Sequence, residues 1–74
     1  MRPEKHSLTL RGHRTSVSLE KPFWDAFRAI ATARNLAINE LAAELDEARG
    51  TSSGLATAIR LYVLDYYVSR VDLD

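Results

Sequence analysis

The feature that most constrains this chain is a single strand-like run, Arg14-Thr15-Ser16-Val17-Ser18-Leu19, standing ahead of three helical periodicities. Residues 15, 17 and 19 are β-branched or apolar and 14, 16 and 18 are polar, the alternation of a strand with one buried face. A lone strand leaves its backbone donors and acceptors unpaired on both edges, so it demands a partner strand. Upstream, Ser7-Leu8-Thr9-Leu10 also alternates, but its apolar residues fall on even numbers. The two runs cannot share a face as one regular strand, and Gly12 is the natural site for a bulge or bend between them. Residues 1–6 read as a flexible arm and 7–19 as the strand region. Two copies of residues 14–19 pairing antiparallel about a two-fold axis would satisfy the strand, giving an intertwined homodimer with a two-stranded ribbon.

Pro22 suits the first turn of a helix. After it, Phe23, Phe27, Ile30, Ala31 and Arg34 recur at helical spacing, with Trp24 beside them, so helix A is expected over 22–34. Asn35 tolerates the left-handed backbone that ends helices. Ile38, Leu41, Ala42, Leu45 and Ala48 then mark helix B over 38–49, before Gly50. Thr51, Ser52 and Ser53 offer N-caps for helix C over 53–70. Leu55, Ala58, Ile59, Tyr62, Val63 and Tyr66 line one side of that helix, and Leu61, Leu64 and Val68 line another. A helix apolar on so much of its circumference asks for burial on two sides, which one domain of 74 residues can scarcely provide. The expected fold is α+β, mostly α: one N-terminal strand, three helices and a dimeric ribbon. Val17, Leu19, Trp24, Leu41, Leu45, Ile59 and Val63 are the expected dimer core.

A chain this short buries only about 60–65% of its unfolded surface, so its stability alone is marginal. With no cysteine there is no disulfide and no thiolate metal site. The two histidines, His6 and His13, have neither a nucleophile nor a paired carboxylate at working distance, so no enzyme, metal or cofactor is expected. Association with a second copy, or a larger ring, is the stabilising device that remains. No apolar run reaches the roughly 18 residues of a membrane span, and a cytoplasmic home is the expectation.

The net charge is zero, but it is unevenly laid out. Residues 1–34 carry plus four and residues 35–74 carry minus four, leaving a basic N-terminal end that a dimer would present as one positive face. On that face Arg14, Ser16 and Ser18 point away from the helices. A two-stranded ribbon fits the major groove, where Arg suits guanine and Ser pairs with several bases.

Leu10-Arg11-Gly12-His13-Arg14-Thr15-Ser16-Val17-Ser18-Leu19-Glu20 with Phe23-Trp24, Asn39-Glu40-Leu41, Ser52-Ser53 and Ala58-Ile59-Arg60-Leu61 resemble the ribbon-helix-helix (Arc/MetJ-type) family. The likeness is to a compact bacterial subgroup with a third helix. The resemblance implies a DNA-binding transcriptional regulator, a repressor among them, acting as a homodimer. It implies base contacts from Arg14, Ser16 and Ser18, a phosphate clamp at Ile38 and Asn39 where helix B begins, and flanking backbone contacts from Arg11 and His13. Ala37 departs from the serine N-cap common in the subgroup and forfeits a phosphate-facing hydroxyl. The alternative is the same scaffold reused to hold a small metabolite or protein partner between subunits, which the zero net charge and acidic helices favour.

Overall fold

The structure is a computed structural model, and it describes residues 1–50 and 54–71. Two strands, β1 (Pro3–Leu10) and β2 (His13–Glu20), are followed by α1 (Lys21–Ala33), α2 (Ile38–Arg49) and α3 (Leu55–Val68). The strands form one antiparallel hairpin within the chain, in register from Pro3 opposite Glu20 to Leu10 opposite His13.

This corrects the expectation of one strand and a flexible arm. Residues 3–6 belong to β1, and the partner of residues 14–19 is the chain's own N-terminal segment. Arg11 and Gly12 both take positive φ, +50° and +86°, the two-residue turn whose twist matches a hairpin. Each pair of facing residues sums to 23, as in Leu8 opposite Thr15. Because that sum is odd, even-numbered side chains of β1 share a face with odd-numbered ones of β2. The mismatch of parity that suggested a bulge is what a hairpin requires: Leu8, Leu10, Val17 and Leu19 are all buried on one face.

That face lies on the helices. Leu19, Phe27, Ile30, Leu41 and Ile59 are the largest fully buried side chains, with Ala31, Ala42, Ala43 and Val63 completing the core. Each large one contributes about 1.5–3 kcal/mol by leaving water. Trp24 and Leu45 pack at its margin. Of the residues expected to form a dimer core, Val17, Leu19, Leu41, Ile59 and Val63 are buried within the chain, and Trp24 and Leu45 are half-buried.

Local sequence explains the helix ends. Pro22 stands in the first turn of α1. At its other end Asn35 has φ +60°, and the Asn35 and Leu36 N–H groups donate to the Thr32 and Ala31 carbonyls at 3.0 and 2.8 Å. This is the paired closure that satisfies the last carbonyls of a helix. At α2, whose N-cap is Ala37, the Glu40 carboxylate reaches back to accept the Ala37 N–H at 2.9 Å. The N-cap of α3 is Gly54; Thr51, Ser52 and Ser53 lie outside the described residues.

Side chains join the elements at the hairpin's edges. Thr9 N–H donates to Asn39 Oδ1 at 3.0 Å, so α2 takes up a donor on the open edge of β1. On the edge of β2, Arg60 Nη2 donates to the Ser18 carbonyl at 3.3 Å, while its Nε and Nη2 hold Glu20 at 2.9 and 3.2 Å. Covering edge groups in this way discourages further strand addition. Arg34 at the end of α1 donates to the Tyr62 hydroxyl of α3 at 2.9 Å and to Glu44 of α2 at 3.3 Å, linking the three helices.

Candidate functional site

The hairpin's outer face presents Lys5, Ser7 and Thr9 from β1 and Arg14, Ser16 and Ser18 from β2, all exposed. Lys5 stands opposite Ser18, Ser7 opposite Ser16 and Thr9 opposite Arg14. A two-residue turn makes its closing pair, Leu10 and His13, hydrogen-bonded, so counting back by alternation these three are non-hydrogen-bonded pairs. In such pairs the Cα atoms approach to about 4.5 Å and the side chains crowd together, producing a narrow polar strip. Thr9 shows the same alternation: its N–H faces away from β2, where Asn39 receives it.

Electrostatics distinguish this strip from the surfaces around Arg11, Lys21, Arg34, Arg49 and Arg60. Arg11, Lys21, Arg34, Arg49 and Arg60 are each paired with a carboxylate: Glu47, Asp25, Glu44, Asp46 and Glu20 respectively. Lys5 and Arg14 have no such partner among the described residues, and no carboxylate interrupts them within the strip. The Lys21 ammonium is held above its ordinary pKa by its hydrogen bond to Asp25, and Glu20 below its ordinary pKa by its hydrogen bond to Arg60.

The structure brings Arg14, Ser16 and Ser18 together on one open face. It separates the other predicted contacts from them. Arg11 sits in the turn with its Nε 3.0 Å from Glu47, so its charge is already matched. His13 is exposed beside the turn, on the opposite parity from Arg14. Asn39 is engaged with β1, and the first turn of α2 carries the Glu40 carboxylate, whose charge opposes an incoming phosphate. Ile38 is half-buried against the core.

Lys5, Ser7 and Thr9 were missed as members of the face. The signal was present in Arg11-Gly12 between two alternating runs, the spacing of a two-residue hairpin loop. His6, read as part of the arm, is stacked on Trp24 with ring centroids 4.0 Å apart and planes 7° from parallel.

A groove of about 480 Å³ opens beside the hairpin between Thr9, Arg11 and the Glu40, Glu44 and Glu47 side of α2. All three carboxylates have partners within the chain, in the Ala37 N–H, Arg34 and Arg11. The groove is therefore a seam of internal contacts between β1 and α2. Among the described residues no group of His, Asp and Glu is arranged to hold a metal ion, and no helix is long and apolar enough to cross a membrane.

The ribbon-helix-helix domain family matches residues 3–67, from the first residue of β1 to the last turn of α3. The chain belongs to the ribbon-helix-helix domain family. This family is one of non-enzymatic, DNA-binding transcription regulators whose members typically form dimers. No curated protein and no solved structure matches the chain. Here both strands of the hairpin come from one chain.

Proposed function

We propose that this ribbon-helix-helix protein is a cytoplasmic transcriptional regulator that binds DNA as a homodimer. Each protomer lays the outer face of its hairpin in the major groove, with Lys5, Ser7, Thr9, Arg14, Ser16 and Ser18 toward the DNA. The observation that carries this reading is the pair of unmatched cations, Lys5 and Arg14, on an otherwise neutral hydroxyl-bearing ribbon. Arg14 is the residue suited to a guanine edge, Lys5 to phosphate, and the hydroxyls to several bases. His13 flanks the groove contact. Arg11, Ile38 and Asn39 serve to fix the hairpin on α2.

The test is a fluorescence-anisotropy titration against fragments of the source genome across a salt series. Each phosphate contact contributes about 0.9 to the slope of log K on log salt, so Lys5→Ala, acting twice in a dimer, lowers that slope by about 1.8. Arg14→Ala is expected to weaken binding and to relax discrimination between fragments. No fragment bound below about micromolar, or binding indifferent to both substitutions, rejects the reading.

A further inference from the structure

The register of the hairpin relates its two strands by an approximate two-fold axis. Ser7 stands opposite Ser16, and an axis normal to the sheet between them carries each residue of β1 onto the one nine positions later in β2. On the outer face Lys5 falls on Arg14, Ser7 on Ser16 and Thr9 on Ser18, a cation on a cation and a hydroxyl on a hydroxyl. On the inner face Leu8 falls on Val17 and Leu10 on Leu19, all four buried. Packing accounts for the inner match, since a sheet lying on one core needs apolar residues in both strands. It makes no such demand of the outer face, where all six side chains are exposed. Strand preference does not choose them either: lysine is depleted in strands, and serine is not among the enriched types.

Duplex DNA has two-fold axes of the same kind, and a symmetric protein element laid on one of them sets equivalent side chains against opposite DNA strands. A ribbon shared between two copies would have this symmetry by construction. Here one chain carries both halves. Lys5 and Arg14 stand at diagonally opposite corners of the face, four residues apart along the strands. With the strand spacing added, their Cα atoms are about 14 Å apart. That distance spans about four base-pair steps of roughly 3.4 Å. The two cations differ in what they can read. Arg14 can grip a guanine edge with two parallel hydrogen bonds, whereas Lys5 is a point charge that serves a phosphate.

We propose that a single chain is the complete reader of one short two-fold DNA element, its two strands taking the two halves. The Arg14 half is read for guanine and the Lys5 half is held through phosphate. Resting on the reading that the hairpin's outer face meets DNA, this fixes the number of chains per element and the symmetry of that element. Where two copies associate, each brings its own ribbon to its own element.

The test is selection of bound duplexes from a random library, followed by titration of a short duplex carrying one selected element at concentrations well above its Kd. Saturation should fall at one chain per duplex, whatever the association state of the protein. The wild type should prefer guanine at one end of the element only, a base change there weakening binding roughly 5- to 100-fold. Lys5→Arg, with circular dichroism unchanged, makes the two corners alike. It should add a second guanine preference of similar size, on the opposite DNA strand and about four steps from the first. Two chains per duplex, or a second guanine that is absent or on the same DNA strand, overturns the proposal and leaves DNA binding standing. A library that yields no bound duplex rejects the regulatory reading and the proposal with it.

Discussion

Replacing Gly12 by alanine tests the hairpin directly. Gly12 has φ +86°, and a Cβ built there meets nothing within 4 Å, so packing contributes no cost. What remains is the backbone, since holding an L-residue in the left-handed region costs about 1–2 kcal/mol. In urea, with a slope near 1 kcal/mol per molar for so small a domain, the midpoint should fall by about 1–2 M. The melting temperature should drop by roughly 4–8 °C for each kcal/mol. All variants are compared at one protein concentration, because association shifts apparent stability.

The decisive comparison is chirality. D-Alanine at position 12, within reach of chemical synthesis at this length, accepts positive φ freely and restricts the unfolded chain. It should therefore equal or exceed the wild type by about 0.4–1 kcal/mol. Equal midpoints for L-alanine and glycine, or equal damage from the two alanine enantiomers, would refute the turn. In that case residues 14–19 would have to find their partner strand outside residues 3–10, as in a ribbon shared between subunits.

Three further outcomes follow from the same contacts. Asn35→Ala should cost about 1–2 kcal/mol in thermal melts, because Asn35 ends α1 at φ +60°, whereas Asn35→Gly should be neutral or stabilising. Asn39→Ala should cost about 0.5–1.5 kcal/mol and speed hydrogen exchange at the Thr9 amide; Asn39→Asp, which keeps the acceptor, should restore protection. Glu20 has a folded pKa below its ordinary 4.5, so its contribution is present above that value and is lost as pH falls through the lowered one. The melting temperature of Arg60→Gln should accordingly decline less than that of the wild type between pH 5 and pH 2.

Much of this architecture was legible in the residues because helices announce themselves by their own period. Phe23, Phe27, Ile30 and Ala31 are all on the core side of α1, and Asn35 turns the chain where its tolerance for positive φ allows. The apolar second side of α3 was legible too, and it is exposed. The hairpin was not, because strand pairing is a long-range fact. Leu8 and Val17 share a face only once the register is known, and parity read along a single line points to a bulge instead. Arg11 concealed the turn further, since a non-glycine residue at φ +50° is an uncommon occupant of its first position. In the candidate site, Arg14, Ser16 and Ser18 could be read from one strand's alternation, whereas Lys5, Ser7 and Thr9 required the register. The contacts of Arg11 with Glu47 and of Asn39 with Thr9 span 36 and 30 positions, beyond any local pattern.

The same long-range contacts resolve the apparent conflict between a neutral chain and a nucleic-acid partner. Exposed ion pairs contribute little to stability, with a median near 0–1 kcal/mol. Their larger effect here is on which charges remain available. Five cations are paired with carboxylates, while Arg2, Lys5, Arg14, Arg28 and Arg70 have no ion-pair partner among the described residues. Two of these five, Lys5 and Arg14, stand on the outer face of the hairpin. A formal charge of zero therefore describes a protein in which Glu47, Glu44 and Glu20 are spent on holding Arg11, Arg34 and Arg60 against the helices and strands. A phosphate approaching the ribbon meets Lys5 and Arg14 with no carboxylate in the strip between them, and at about 8 Å of screening length in physiological salt it responds to those neighbours more than to the sum over the chain.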